Sequence, residues 1–174
     1  MATATINYHS TTDTADLTIT LASLATSSTL VAGRESTVVD NTSNQYVDAI
    51  VTGQITTGTT PTTQKTIAVF VYTPIDINSS TAVYPVATTT ALTGSDAAAT
   101  FELEQRTSLK QGAAMLVNAT SDRKYSFSFS VAALFGGVMP LKWGVFVTHD
   151  TAVNLNATSG NHWITYTGIK YDIA

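Results

Sequence analysis

Residues 124–131 read KYSFSFSV, so that Tyr125, Phe127, Phe129 and Val131 alternate with Lys124, Ser126, Ser128 and Ser130. A period of two puts the aromatic set on one face of a strand and the hydroxyl set on the other. Shorter alternations recur along the chain. Leu17, Ile19 and Leu21 alternate with Thr18, Thr20 and Ala22, and Val47, Ala49, Val51 and Ile55 continue the pattern up to Gly58. Residues 36–39 predict a short strand, broken by the turn-forming cluster at 40–44. Phe101 and Leu103 oppose Glu102 and Glu104, which predicts an edge strand. Residues 67–72 (IAVFVY) are apolar at every position, the mark of a central strand covered on both faces. Met115 and Val117 belong to another strand, and 143–148 and 163–173 form the last two. Short helical turns fit near 106–111 and 131–135.

Composition explains how strands can dominate with so little charge. The 174 residues include 33 Thr and 15 Ser, while charged residues make up 11%, less than half the roughly 25% usual in soluble domains. β-Branched side chains suit a pleated, half-buried surface, and Thr can face solvent from it without a charge. Eight to ten short strands separated by turn clusters predict an all-β, antiparallel sandwich. The long connections at 57–64, 76–96 and 149–161 favour a jelly roll, with an immunoglobulin-like sandwich as the alternative. Residues 1–15 read as an N-terminal arm or loose first strand, and 16–174 as one sandwich domain.

Several function classes lack their residues. A net charge of -4 leaves no basic surplus for nucleic acid. No apolar run is long enough to span a membrane, and Met1 to Ser10 lacks the form of a signal peptide. With no cysteine, disulfides, thiolate metal sites and a Cys nucleophile are excluded. His9, His149 and His162 show no zinc spacing, and the adjacent His149 and Asp150 point to opposite faces of a strand. Glu102 and Glu104 share a face at a spacing compatible with paired glycosidase carboxylates, as on any solvated strand. Residues 76–80 (DINSS) open like a calcium loop but lack its glycine and closing Glu. The Asn-x-Ser/Thr triplets at Asn41, Asn78, Asn118 and Asn156 are expected by chance in so hydroxyl-rich a chain. No catalytic residue, metal site or cofactor is therefore expected.

A surface poor in charge also lacks the repulsion that holds monomers apart. The last strand carries aromatic residues on both faces, since Trp163 and Tyr171 share one parity and Tyr166 the other. One face packs in a core. The other is open to subunit contact, further core packing or a sugar ring. Trp163, Tyr166 and Tyr171 are accordingly the candidate subunit-interface residues.

Two stretches, 33–58 and 135–174, resemble small virion structural proteins of tailed bacteriophages. The shared pattern consists of Arg34, Glu35, Asp40 and Asn41, then Gly136, Gly137, Pro140, Trp143 and Gly144, closing with Tyr166, Gly168 and Ile169. The resemblance covers about two fifths of the chain and leaves 59–134 unmatched. It implies a non-enzymatic β-sandwich on a phage particle, a cement or decoration protein on the capsid. The partners implied are the major capsid protein and further copies of this chain, with a trimer as a common arrangement. A tail-associated, glycan-binding module is the alternative expectation.

Overall fold

The computed structural model describes residues 3–8, 14–75, 84–85 and 92–173. Its strands are β1 (Ala4–Tyr8), β2 (Thr14–Asp16), β3 (Ala32–Glu35), β4 (Val39–Asp40), β5 (Asp48–Thr56) and β6 (Lys65–Tyr72). There follow β7 (Ala97–Thr100), β8 (Lys110–Val117), β9 (Lys124–Ser130), β10 (Lys142–His149) and β11 (Trp163–Ile173). One helical turn, α1 (Val131–Leu134), is capped by the Ser130 hydroxyl, which accepts from the Ala133 N–H. A 3-10 turn occupies Gln105–Ser108.

The strands form two antiparallel sheets packed as a sandwich. The first has the order β1-β11-β5-β9, with β2 also on β11, and the second β7-β3-β10-β6-β8, with β4 also on β10. Between the sheets lies an apolar core. Ala49, Val51 and Ile55 of β5 and Ile164 and Tyr166 of β11 meet Ile67, Val69 and Val71 of β6 and Trp143, Val145 and Val147 of β10. The other parity of β6 and β10, with Ala68, Phe70, Tyr72 and Phe146, is buried in a second core against Leu92, Phe101 and Leu109. The second sheet is thus covered on both faces, which is why residues 67–72 are apolar apart from the Tyr72 hydroxyl.

Three expected strands take another form. Residues 17–21 keep their alternation, with Leu17 and Leu21 buried, but join no ladder. The Leu17 N–H donates to Ile164 O in the first sheet, and Thr18 O accepts from Thr37 N beside the second. This segment crosses between the sheets and divides its backbone bonds between them. The strand expected at 101–104 lies just earlier, at β7. Glu102 and Glu104 sit instead in a turn, where Gln105 Oε1 accepts from the Glu102 N–H and Arg106 N–H donates to Glu102 O. They share no strand face, so the paired-carboxylate arrangement does not form. The short strand expected at 36–39 resolves into β4, at Val39–Asp40, and the preceding β3, which pattern alone does not single out.

Candidate interaction surface

The outer face of the first sheet is built by parity. β5 turns Ala49, Val51, Gly53 and Ile55 inward, which leaves Ile50, Thr52 and Gln54 outside. Register carries this across the neighbours. Trp163, Gln54 and Ser126 lie in one row, Thr165, Thr52 and Ser128 in the next, and Thr167, Ile50 and Ser130 in a third. The Thr52 and Thr165 hydroxyls are 3.1 Å apart, a cross-strand hydrogen bond. Charge on this face is confined, among the described residues, to its margins. Asp16 lies across from Thr165, Lys124 opens β9, and Asp48 accepts from Ser130 Oγ and the Ala132 N–H.

β11 outruns β5. Pairing with β5 ends at Ile169, and beyond it β11 pairs with β1 alone, from Tyr8 across Ile169 to Ala4 across Ile173. The result is a two-stranded ribbon with unlike faces. Ile6 and Tyr8 lie with Tyr171 and Ile169 on one side. On the other, Asn7 Nδ2 donates to Asp172 Oδ2 at 2.7 Å, and Lys170 pairs with the same carboxylate at 3.7 Å. Ile6, Tyr8 and Tyr171 are 59%, 62% and 58% exposed, and no residue of β1 is buried. At the other end of β11, Trp163 is 45% exposed. It borders a cleft of about 250 Å³ between residues 16–21 and the start of β11, with Asp16 and Thr18 on its wall.

Of the three aromatic residues singled out on β11, Trp163 and Tyr171 therefore face outward. Tyr166 does not. It lies in the core, edge-on to Trp143 at 5.3 Å and to Tyr46 at 6.5 Å. Burial, with Tyr46 nearby, pushes its hydroxyl pKa up. A contact residue must present surface, so Tyr166 is corrected to a core residue.

Of the residues that carry the resemblance, Arg34, Glu35, Asp40, Trp143 and Gly144 lie on β3, β4 and β10 of the second sheet, whereas Tyr166, Gly168 and Ile169 lie on β11 of the first. Glu35 is fully buried and accepts from Thr93 N (2.8 Å), Thr93 Oγ1 (2.9 Å) and Gly94 N (3.0 Å). Tyr72 Oη stands 3.1 Å from the same carboxylate and 2.9 Å from Ser36 O, and burial beside Glu35 raises its pKa, keeping it a donor. Gly144 leaves room for that tyrosine, because a Cβ there would come within 2.5 Å of the Tyr72 ring. Ser36 and Val145 exchange hydrogen bonds through Ser36 Oγ and backbone, and Lys142 pairs with Asp40 at 3.0 Å. Hydrogen bonds from Thr42, helped by Lys142, hold the Asp40 carboxyl down at about 2. Arg34 grips Asp96, which also accepts from Thr20. Burial alone would raise the Asp96 pKa, but these donors hold it below the usual range. The turn at 93–96 is thereby latched onto the sheet over the second core. Sequence reading missed this role of Glu35, because the strand that turns it inward, β3, is not singled out by pattern.

The histidines are structural where they are described. His149 is buried, with Nδ1 2.9 Å from Thr151 Oγ1 and Nε2 3.0 Å from Leu24 O. Asp150 turns the other way, accepting from the Thr66 N–H and pairing with Lys65 at 3.5 Å. His162 Nδ1 accepts from the Thr56 N–H and Nε2 donates to Asn156 O. Burial lowers both histidine pKa values. His9 and the calcium-like 76–80 stretch lie outside the described residues, among which no cluster of metal-ligating side chains occurs. No helix among them is long and apolar enough to cross a membrane. No family model, curated protein or solved structure matches this chain.

Proposed function

We propose that the chain is a non-enzymatic structural protein of a tailed-phage particle, a cement or decoration protein that bridges and stabilises major capsid protein subunits. The observation that carries this reading is the outer face of the first sheet, with hydroxyls in its centre, aromatic residues at both ends of β11 and charge only at its margins. Docking such a face removes apolar and hydroxyl surface from water without desolvating an unpaired ion. Each apolar Å² so buried contributes about 25 cal/mol. Many copies, each seated across a boundary between capsid subunits, raise the free energy needed to separate them. The marginal charges Asp16, Asp48 and Lys124 then serve register more than affinity.

The strand order supports the finer fold reading. β2-β11-β5-β9 lies over β3-β10-β6-β8, the arrangement that two Greek keys produce in a jelly roll. Jelly rolls serve as viral capsid domains and as lectins. Residues that carry the resemblance hold the scaffold: Arg34, Glu35, Asp40 and Gly144 as described, and buried Asn41 by donating from Nδ2 to Tyr46 O and accepting at Oδ1 from the Tyr46 N–H.

Quantitative mass spectrometry of purified particles tests the proposal. A fixed, simple ratio of this chain to the major capsid protein is the expected result. A far smaller number moves it to the tail, and its absence from the particle overturns both placements. One observation favours the second reading, a glycan-binding tail module: Trp163 and Asp16 line the same cleft. That reading requires sugar-dependent quenching of tryptophan fluorescence that is lost in Trp163→Ala.

A further inference from the structure

We infer that the free edge of β1 is a self-pairing edge, at which two copies of this chain join β1 to β1, antiparallel, and run their first sheets together. Exposed edges are normally blunted by charge, proline, a bulge or shortness. The other outer strands show such devices. β7 has four residues, β8 starts at Lys110 and meets a register shift opposite Val69 and Phe70, and β9 starts at Lys124. β1 reads ATINY over five paired residues, with no charge, proline or glycine. Its far edge pairs with no other strand among those described.

A second copy fits this edge better than an unlike partner because the strand complements itself. With Ile6 on the twofold axis, Ile6 faces Ile6, Ala4 faces Tyr8 and Thr5 faces Asn7. Apolar groups meet on one side and hydroxyl meets amide on the other. Nor does charge oppose the approach. The ribbon's only ions, Lys170 and Asp172, neutralise each other within each copy, although the whole chain carries -4. The continuous sheet would also join the two exposed Ile6 and Tyr8 pairs into one apolar strip. Five residues per copy fall well short of the roughly 20–30 a side of a standard interface. The pairing is therefore weak in solution and gains effect where copies are already held close. It does not depend on the capsid reading and is testable on the isolated chain.

The test is sedimentation velocity over a concentration series of the full chain, with Ile6→Lys, Ile6→Glu and their equimolar mixture. Far-UV circular dichroism of both variants serves as the control for folding, which exposed Ile6 should not disturb. The expected result is a concentration-dependent dimer of the unaltered chain, weakened about tenfold or more in each variant by like charges meeting across the strands. The mixture should recover dimer, because lysine then faces glutamate. A chain that stays monomeric throughout the series overturns the inference, as does a dimer indifferent to both substitutions. Failure of the mixture to recover also overturns it. That outcome would fit an exchange of arms, in which Ile6 faces Tyr171 of the other copy rather than its own counterpart.

Discussion

The two sheets share one core and differ in what lies behind them. Behind the second sheet, Leu92, Phe101 and Leu109 close over Phe70, Tyr72 and Phe146, and Glu35 and Asp96 fasten the covering turn. Nothing among the described residues covers the back of the first sheet, where Thr52, Thr165 and Ser128 stand with Trp163 and Tyr171 at the ends of β11. Among the described residues, the chain thus places one buried carboxylate, Glu35, and the half-buried Arg34–Asp96 pair on one side, and keeps charged groups away from the centre of the other. Stability is concentrated where ions are caged by donors. Under the proposed function, contact falls to the face whose centre carries no ion to be stripped of water.

Glu35→Ala should break the closed side of this contrast most severely. It leaves the Thr93 and Gly94 N–H groups and the Tyr72 hydroxyl without their shared acceptor, and the expected loss is about 3 kcal/mol or more. Urea unfolding followed by tryptophan fluorescence measures it, and a loss below about 1 kcal/mol would mean that water replaces the carboxylate readily. A smaller effect is expected from acid. His149 and His162 are held below their ordinary pKa of 6.5 in the folded chain, so the unfolded chain binds protons first. Their contribution is complete above about pH 6.5 and is lost as pH falls through the lower folded values. The unfolding midpoint should decline from that point, before the carboxylates titrate, and His162→Gln should flatten part of the slope. The smallest effect belongs to the open face. Thr165→Val keeps the β-branched shape and removes one half-buried hydroxyl contact, so stability should move by no more than about 0.5 kcal/mol. Under the proposed function the same change should weaken attachment to capsids in a pelleting assay, which separates contact from folding.

Much of this contrast is legible in the sequence wherever pattern and packing agree. The unbroken apolar run at 67–72 announces a strand with two covers, and the strand expected at 163–173 coincides with β11. The parity of Tyr166 against Trp163 and Tyr171 is visible too, but which parity faces the core depends on where β10 places Trp143. Other features are set by partners distant in sequence. Glu35 is buried because donors 58 and 59 residues away wrap its carboxylate. Residues 17–21 alternate like a strand, yet their backbone partners lie in different sheets. At 102–104 short-range bonds from Gln105 and Arg106 win over a ladder, a competition that alternation does not encode. The open face is the least legible part, because hydroxyl residues look alike whether they meet water or a partner.

β11 has a mechanical consequence. It is the closing strand of the first sheet and, beyond Ile169, one half of the protruding ribbon, so both ends belong to one continuous backbone. A pull on the ribbon along the strand loads its seven paired positions with β5 together, in shear. Pulling across the strand would instead open that ladder one rung at a time. A partner that grips the ribbon therefore holds the protein in the direction in which a sheet yields least, and tension applied there would reach the core as sliding resistance rather than peeling.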